Sequence, residues 1–198
     1  MKKYLIAPIL YNKRNEIFQS VSLSLNKLLK EINIDFEYHI YGKKRDIKKF
    51  DGLILCGGGD IYTIKKNLLN KLRDNEEKRL IKLFLLKKKK IFSVCRGFQL
   101  ISEIYGSRLI KISNHVNKKN DIYIYKNKYL NAKKINVTCY HNYAIKNLSD
   151  KFSIIGKTID NNIEIAIHQK AGILGLMFHP ERKNSSDKII KKMLKDFL

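Results

Sequence analysis

Apolar and polar residues follow two different periods along the first half of the chain. Short apolar or alternating runs predict strands at residues 3–10, 34–40 and 50–56. Apolar residues recurring every three or four positions predict helices at residues 17–32 and 75–86, whereas residues 61–72 are interpreted as irregular or a short helix. Alternation of strand and helix is typical of a parallel, doubly wound sheet with helices on both faces.

The second half of the chain is richer in strands. Six β-capable runs follow one another without an intervening helical pattern, at residues 107–112, 121–125, 134–139, 152–157, 163–169 and 173–178. A final amphipathic helix is predicted at residues 186–198. We therefore predict a single α/β domain over residues 1–198, with a mostly parallel central sheet flanked by helices and extra antiparallel strands in the second half.

Length and composition constrain the size of the core and the cellular location of this domain. The chain has 198 residues, of which 44% are hydrophobic, enough for a sizeable core. No apolar run approaches the roughly 20 residues that span a bilayer, and the basic N-terminus is followed by too short an apolar run for a signal peptide. We expect a cytoplasmic protein without a membrane partner.

The formal net charge of +23 comes mainly from lysine. Three interpretations are open: compositional bias of an AT-rich coding sequence, attraction of an anionic substrate or partner, and nucleic-acid binding. Arginine is scarce beside lysine, and no nucleic-acid recognition motif is present. We favour compositional bias, then an anionic substrate, and do not expect nucleic acid as a partner.

Cys95 is the first candidate catalytic residue. The apolar run at residues 91–94 ends at this cysteine, Gly97 follows, and apolar periodicity resumes from Phe98 to Ile104. The pattern predicts strand, sharp turn and helix, which is the geometry of a nucleophile elbow. The helix dipole at such a turn favours a thiolate. A buried structural cysteine at a strand end explains this stretch equally well by itself.

A glycine-rich loop follows another predicted strand. Gly57, Gly58 and Gly59 precede Asp60, and glycines let backbone N–H groups approach a ligand closely. One such donor, together with the N–H of Arg96, would form an oxyanion hole. A plain glycine-rich turn is the alternative, and the loop lacks the spacing of a nucleotide site.

The third strand end carries His179, Pro180 and Glu181, directly after the run at residues 173–178. Residues two apart in an extended chain point the same way, so Glu181 can orient one nitrogen of His179 and leave the other facing a nucleophile. A surface histidine beside a solvated glutamate is the alternative. Because sites in parallel sheets form at the carboxyl ends of strands, all three features are expected to meet.

Together these motifs carry a family resemblance. Gly-Gly-Gly-Asp at residues 57–60, Cys-Arg-Gly-Phe-Gln at 95–99 and His-Pro-Glu at 179–181 resemble a class I glutamine amidotransferase domain. The Cys-Arg-Gly-x-Gln form and Tyr-His-Asn-Tyr-Ala-Ile at 140–145 are most similar to the stand-alone γ-glutamyl hydrolases of the peptidase C26 group. The resemblance covers nearly the whole chain and implies a flavodoxin-like fold.

The resemblance implies roles for the residues in these motifs. Cys95 would be the nucleophile, His179 the general base and then acid, and Glu181 the residue that orients His179. Oxyanion N–H groups would come from Gly57, Gly58 and Arg96. The reaction would pass through a γ-glutamyl thioester that water hydrolyses.

A substrate site is implied as well. Gly59 and Gln99 lie where the family holds the glutamyl group, and Tyr140, His141 and Asn142 lie on a loop that closes over it. No metal or organic cofactor is implied. The expected partner is a small γ-glutamyl compound, and the alternatives include an anionic amine such as CDP-ethanolamine in capsule polysaccharide biosynthesis. A homodimer is compatible with this interpretation.

Three activities remain open. The first is a hydrolase that releases glutamate and an amine, the second a glutaminase subunit supplying ammonia to a separate synthetase, and the third an inactive relative, which the intact motif set disfavours.

Three cysteines without a CxxC pair predict neither a disulfide framework nor a zinc site. The remaining cysteines and histidines are expected to be ordinary core or surface residues: Cys56, Cys139, His39, His115 and His168.

Overall fold

The computed structural model describes all 198 residues, in thirteen strands and four helices. The strands are β1 Lys2–Ala7, β2 Ile9–Lys13, β3 Glu16–Ser20, β4 Ile34–Tyr38, β5 Gly52–Leu55, β6 Lys90–Val94, β7 Arg108–Lys111, β8 Val116–Ile124, β9 Lys134–Tyr140, β10 Tyr143–Lys146, β11 Ser153–Thr158, β12 Ile163–His168 and β13 Ile173–Leu176. The helices are α1 Leu23–Glu31, α2 Leu68–Leu86, α3 Arg96–Ile104 and α4 Asp187–Phe197. None of them is both long and apolar enough to cross a membrane.

Nine strands form the central sheet, in the order β4-β1-β5-β6-β13-β12-β11-β8-β9. The strands from β4 to β13 are parallel to their neighbours, and the remaining pairs, from β13/β12 to β8/β9, are antiparallel. The predicted fold class is thereby confirmed. This order places β5, β6 and β13 side by side. These strands precede the glycine loop, Cys95 and His179, respectively. Because the three strands are parallel, they all end at the same, carboxyl edge of the sheet.

The core lies on both faces of this sheet, because successive strand residues point to opposite sides. Tyr4 and Ile6 of β1 pack with apolar residues of α1 and α4 on one face. Leu5 and Ala7 pack with apolar residues of α2 and α3 on the other. This arrangement explains why the parallel strands are continuous apolar runs.

The predicted helix at residues 17–32 is wrong in its first third. Residues 16–20 form β3, which pairs with β2 in an antiparallel hairpin. Its turn residues, Arg14 and Asn15, have φ angles of 53° and 63°, which is typical of a type I′ hairpin turn. The helix begins only at Leu23, where the Ser22 side chain accepts a hydrogen bond from the Ser24 N–H.

Other elements also differ from the predictions. The predicted strand at residues 3–10 is divided between β1 and β2, and β8 begins five residues before the predicted strand at 121–125. Helix α2 begins at Leu68, so residues 68–72 are helical, because the Asn67 side chain caps the helix by accepting from the Asn70 N–H at 2.8 Å. Strand β10 was not predicted and pairs with β7 outside the main sheet. Both features depend on contacts that hydrophobic periodicity does not encode.

Gly175 in β13 is closely packed against α3, and we expect Gly175→Ala to be destabilising. A Cβ at this position would lie 2.1 Å from Cδ2 of the buried Phe98. Overpacking of this kind costs about 1–3 kcal/mol of unfolding free energy, measurable by urea denaturation. The exposed strand residue Ser153 provides a control, because Ser153→Ala should change stability by less than about 0.5 kcal/mol. Equal effects of the two substitutions would contradict the packing argument.

Candidate active site

Cys95 lies on a strained turn between β6 and α3. Its φ and ψ are 48° and −104°, a conformation that non-glycine residues rarely adopt, and its N–H donates to the Leu176 carbonyl of β13 at 2.6 Å. Gly97 allows this turn to sit against β5, since a Cβ there would lie 2.7 Å from the Leu55 Cβ. The sharp strand-to-helix turn predicted from the sequence is therefore present.

His179 lies next to Cys95 and is held by Glu181. The imidazole Nδ1 is 2.6 Å from Glu181 Oε1, and the ring is 5% exposed. Burial lowers the pKa of this imidazole, but its interactions with the Cys95 thiol and the Glu181 carboxylate outweigh burial and raise the pKa to about 9. The structure thus places the side chains of Cys95, His179 and Glu181 next to one another. With its raised pKa, His179 is protonated near neutral pH.

Gly57 lies against both side chains. A Cβ on Gly57 would be 3.2 Å from His179 Nε2 and 3.4 Å from the Cys95 Cβ, so any larger residue would crowd the site. Gly58 and Gly59 have φ angles of 86° and 75°, in the left-handed region that favours glycine. These constraints explain three consecutive glycines at the end of β5.

The glycine loop is oriented by Arg73, a residue that the sequence analysis did not identify. Its guanidinium donates to the carbonyls of Cys56 at 2.8 Å and Gly58 at 2.6 Å. The Gly57 carbonyl also lies 3.5 Å from this guanidinium. Because the carbonyl and the following N–H of a trans peptide point in opposite directions, the N–H groups of Gly57, Gly58 and Gly59 face away from Arg73. None of these N–H groups donates to another protein group, so the predicted donors Gly57 and Gly58 stay candidates for the oxyanion hole, and Gly59 is a further candidate.

Arg96 contributes a second, unpredicted contact. Its fully buried guanidinium pairs with Asp74 and Glu77 of α2 and donates to the Asp60 carbonyl at 3.3 Å. Glu77 also accepts from Arg73 Nε at 2.8 Å. The two arginines therefore tie the cysteine turn and the glycine loop to the same helix.

A sequence signal for this network exists in α2. Arg73 and Glu77 precede Ile81 at intervals of four residues, so all three lie along the same helix face as the predicted core position. Two charged residues on an inward row indicate buried ion pairs. The predicted helix at residues 75–86 begins two residues after Arg73, so Arg73 falls outside it, whereas the helix of the structure begins at Leu68.

Tyr140 borders the site directly. Its ring meets the His179 ring edge-on, with centroids 5.9 Å apart at 90°. The Arg182 guanidinium lies 3.9 Å from the Tyr140 ring centroid, a cation–π contact. Tyr140 and Arg182 therefore form a wall beside the imidazole.

The other residues predicted to bind substrate are distributed differently. Gln99 is buried, and its Nε2 donates to the Tyr143 carbonyl at 3.4 Å. Gly59 and Asn142 are exposed near the loop ends. His141 is buried, with Nδ1 3.0 Å from the Tyr143 carbonyl and Nε2 3.1 Å from Glu164 Oε1. Substrate contacts of these residues stay predictions.

A cleft opens beside Gly57 and His179 and is also lined by Ile9, Leu25 and Arg182. A polar depression adjoins it beyond Glu181 and Arg182. Its other charged lining residues are mostly cationic: Lys27, Lys183, Lys191, Glu31 and Asp187. An anionic group leaving the cleft would therefore meet basic side chains.

The other two cysteines do not compete with Cys95 as nucleophiles. Burial raises the pKa of the Cys56 thiol to about 12 and also raises the pKa of the Cys139 thiol. Both thiols stay protonated near neutrality, and a protonated thiol is a poor nucleophile.

A doubly wound α/β sheet with a cysteine turn, a glycine loop and a His-x-Glu pair at three neighbouring strand ends defines an amidotransferase-like domain. The family model of glutamine amidotransferase class-I matches residues 15–198. The chain belongs to this family, whose members act on amide bonds. The resemblance inferred from the motifs is confirmed.

Individual relatives agree with this assignment. The chain is 33% identical over 156 residues to the gamma-glutamyl-CDP-amidate hydrolase of Campylobacter jejuni, covering 79% of this chain and 71% of that protein. It is 27% identical over 177 residues to the glutamine-hydrolyzing GMP synthase of Dictyostelium discoideum, covering 84% of this chain but 23% of that protein. A glutamine amidotransferase structure from Thermotoga maritima superposes with a TM-score of 0.76 at 15% identity, covering 99% of this chain and 96% of that one.

Proposed function

We propose that this protein is a cysteine hydrolase that cleaves the γ-glutamyl amide bond of an anionic γ-glutamyl compound, releasing glutamate and an amine. The observation that carries the proposal is the meeting of Cys95, His179 and Glu181 at Gly57. The similarity to a gamma-glutamyl-CDP-amidate hydrolase over 71% of that protein supports a γ-glutamyl amide as substrate.

The proposed reaction has two stages. In the first, His179 takes the proton of the Cys95 thiol, and the sulfur attacks the γ-carbonyl carbon. The N–H groups of Gly57, Gly58 and Arg96 stabilise the negative oxygen that forms. The C–N bond then breaks, the His179 imidazolium gives its proton to the leaving amine, and a γ-glutamyl thioester remains on Cys95. In the second stage, water attacks the thioester, His179 takes the water proton, and the C–S bond breaks to release glutamate.

The amine half is proposed to carry phosphate. The depression next to Glu181 presents Lys27, Arg182, Lys183 and Lys191, and of these Lys191 is already paired with Glu31 at 2.8 Å. The other cations lack a carboxylate partner within ion-pair distance and are free to meet a diphosphate. A nitrogen compound that carries cytidine diphosphate is the proposed chemical class, and the name of the Campylobacter relative, a gamma-glutamyl-CDP-amidate hydrolase, supports it.

The deciding experiment measures glutamate release by the purified protein acting alone. We expect hydrolysis of the γ-glutamyl amide of CDP-ethanolamine with kcat/KM at least about tenfold above that of the γ-glutamyl amide of ethanolamine, since the charge contacts are worth one or two kcal/mol. Increasing salt should reduce this preference. Equal kcat/KM values for the two compounds would show that the enzyme does not prefer an anionic amine, which would contradict this part of the proposal.

The second candidate function is a glutaminase subunit, which the similarity to a glutamine-hydrolyzing GMP synthase favours. In that case the protein alone would hydrolyse γ-glutamyl amides of larger amines poorly and glutamine slowly. Addition of a synthetase partner would accelerate ammonia release from glutamine. Efficient cleavage of γ-glutamyl amides without a partner would exclude this candidate.

We expect Glu181→Gln to be milder than His179→Ala. The glutamine oxygen still accepts from Nδ1–H but no longer carries the charge that raises the His179 pKa, so kcat/KM should fall about 10²-fold, against about 10³-fold or more for loss of the imidazole. Wild-type kcat/KM should decline as pH rises through about 9, where His179 loses its proton. In Glu181→Gln this decline should move to lower pH. An unchanged pH profile would contradict the effect of the Glu181 charge on His179, and equal losses in the two variants would contradict the orienting role of Glu181.

A further inference from the structure

A second constellation lies in the antiparallel half of the sheet and takes no part in the proposed reaction. His115 precedes β8, Cys139 is in β9, His141 follows β9, and Glu164 is in β12. All four side chains are buried, none being more than 3% exposed. Four ionisable or metal-ligating groups so far from water need a common partner or a complete hydrogen-bond network.

The ligand atoms of the four residues lie close enough together to share one ion. Glu164 Oε1 lies 3.1 Å from His141 Nε2 and 3.6 Å from His115 Nδ1, and Glu164 Oε2 lies 3.7 Å from Cys139 Sγ. All four groups offer an atom within 4.8 Å of the others. Bonds of about 2.0–2.3 Å at tetrahedral angles around zinc separate the ligand atoms by about 3.3–3.7 Å.

The outer contacts of both histidines also fit metal ligation. His115 Nε2 lies 2.9 Å from Asp160 Oδ2, and His141 Nδ1 lies 3.0 Å from the Tyr143 carbonyl. Ligating histidines usually donate their second nitrogen to a carboxylate or a backbone carbonyl. These contacts turn His115 Nδ1 and His141 Nε2 toward the centre of the cluster.

One atom of the cluster has no hydrogen-bond partner. His115 Nδ1 is buried and has no hydrogen-bond partner, because the nearest carboxylate oxygen, Glu164 Oε1, lies 3.6 Å away, beyond hydrogen-bond distance. A buried polar nitrogen without a partner is uncommon and costly. A cation between His115, Glu164, His141 and Cys139 would give this nitrogen a ligand bond.

We propose that His115, Cys139, His141 and Glu164 bind one zinc ion. Two neutral imidazoles, a thiolate and a carboxylate neutralise the double charge of the ion, and binding releases the Cys139 thiol proton to solvent. Four protein ligands leave no open position, which is typical of structural rather than catalytic zinc. The ion would anchor the end of β9, where Tyr140 packs against His179.

This inference departs from the sequence expectation that the chain has no zinc site. That expectation considered spacing along the chain, where no CxxC pair exists. The proposed ligands come from three separate segments that only the sheet order β12-β11-β8-β9 brings together.

The test is performed in a Cys95→Ser protein, because the active-site cysteine and His179 could bind zinc themselves. Chelator-treated protein is reloaded with zinc alone or cobalt(II) alone and the bound metal is counted. We expect one zinc per chain, and a cobalt spectrum with a thiolate charge-transfer band and tetrahedral d–d bands. Cys139→Ser in the same background should lose that band and bind zinc at least about 100-fold more weakly.

Asp160→Asn is a second variant that tests the zinc site even if Cys139→Ser does not fold. The Asp160 side chain is half exposed, so its loss is tolerable, yet it should weaken zinc binding by about 10–100-fold through His115. Failure of the Cys95→Ser protein to retain stoichiometric metal would overturn the proposal and leave a hydrogen-bonded network. So would full metal binding by the folded Cys139→Ser protein. All these readouts are independent of glutamate release.

Discussion

Cys95→Ala is expected to abolish glutamate release, lowering kcat by about 10⁴-fold or more, because the thioester cannot form without the thiol. The side chain is small and 7% exposed, so the circular dichroism spectrum and unfolding midpoint should stay near those of the wild type. Acid-quenched wild-type protein should carry a γ-glutamyl adduct on Cys95, detectable by intact-mass and peptide mass spectrometry. The adduct should be missing in the variant.

The matched control is Cys56→Ala. This thiol is also buried near the glycine loop, but burial raises its pKa to about 12, so it is not expected to act as a nucleophile. The control should retain most of the activity and the adduct. Comparable losses in the two variants, or full activity of Cys95→Ala, would mean that Cys95 is not the nucleophile.

Glu77→Ala is expected to have the largest effect on stability. Glu77 is fully buried and pairs with both Arg73 and Arg96, so its removal leaves two guanidinium groups under-neutralised in the interior. Breaking a buried ion pair from one side costs about 3–5 kcal/mol of unfolding free energy. Urea denaturation should show this loss, and activity should fall too, because Arg73 orients the glycine loop.

Asp196→Ala is the corresponding control, because Asp196 pairs with Lys192 at 2.7 Å on the exposed face of α4. Exposed pairs contribute less than about 1 kcal/mol. If Glu77→Ala loses as little stability as Asp196→Ala, the two arginines must find other partners. Glu77→Gln should be intermediate, because its amide oxygen can still accept from one arginine.

The cysteine turn illustrates what short-range pattern predicts well. An apolar run, a cysteine and a glycine two residues later predicted a strand, a turn and a helix, and the structure has β6, Cys95 at φ 48° and α3. Steric limits on the backbone act within a few residues, so such a turn is encoded locally. The hairpin of β2 and β3 shows the limit, because Ile17 and Phe18 fit a helical period as well as a strand.

The site around Arg73, Asp74 and Glu77 could not be derived in the same way. Charged residues are usually interpreted as exposed, and their burial is decided by what packs over them. Here the Arg96 guanidinium and the carbonyls of the glycine loop cover the polar face of α2. The four residues of the proposed zinc site are likewise dispersed, over nearly fifty positions from His115 to Glu164.

By itself, the sequence determined the alternation of strands and helices, the turn at Cys95, the glycine loop and the His179–Glu181 pair, because each depends on the conformation of a few consecutive residues. Only the tertiary structure decided that β13 lies beside β6 and brings His179 to Cys95, that two buried arginines orient the loop, and that His115, Cys139, His141 and Glu164 meet. These contacts join residues far apart in the chain, and their energies depend on burial and on the order of strands, which local periodicity does not contain.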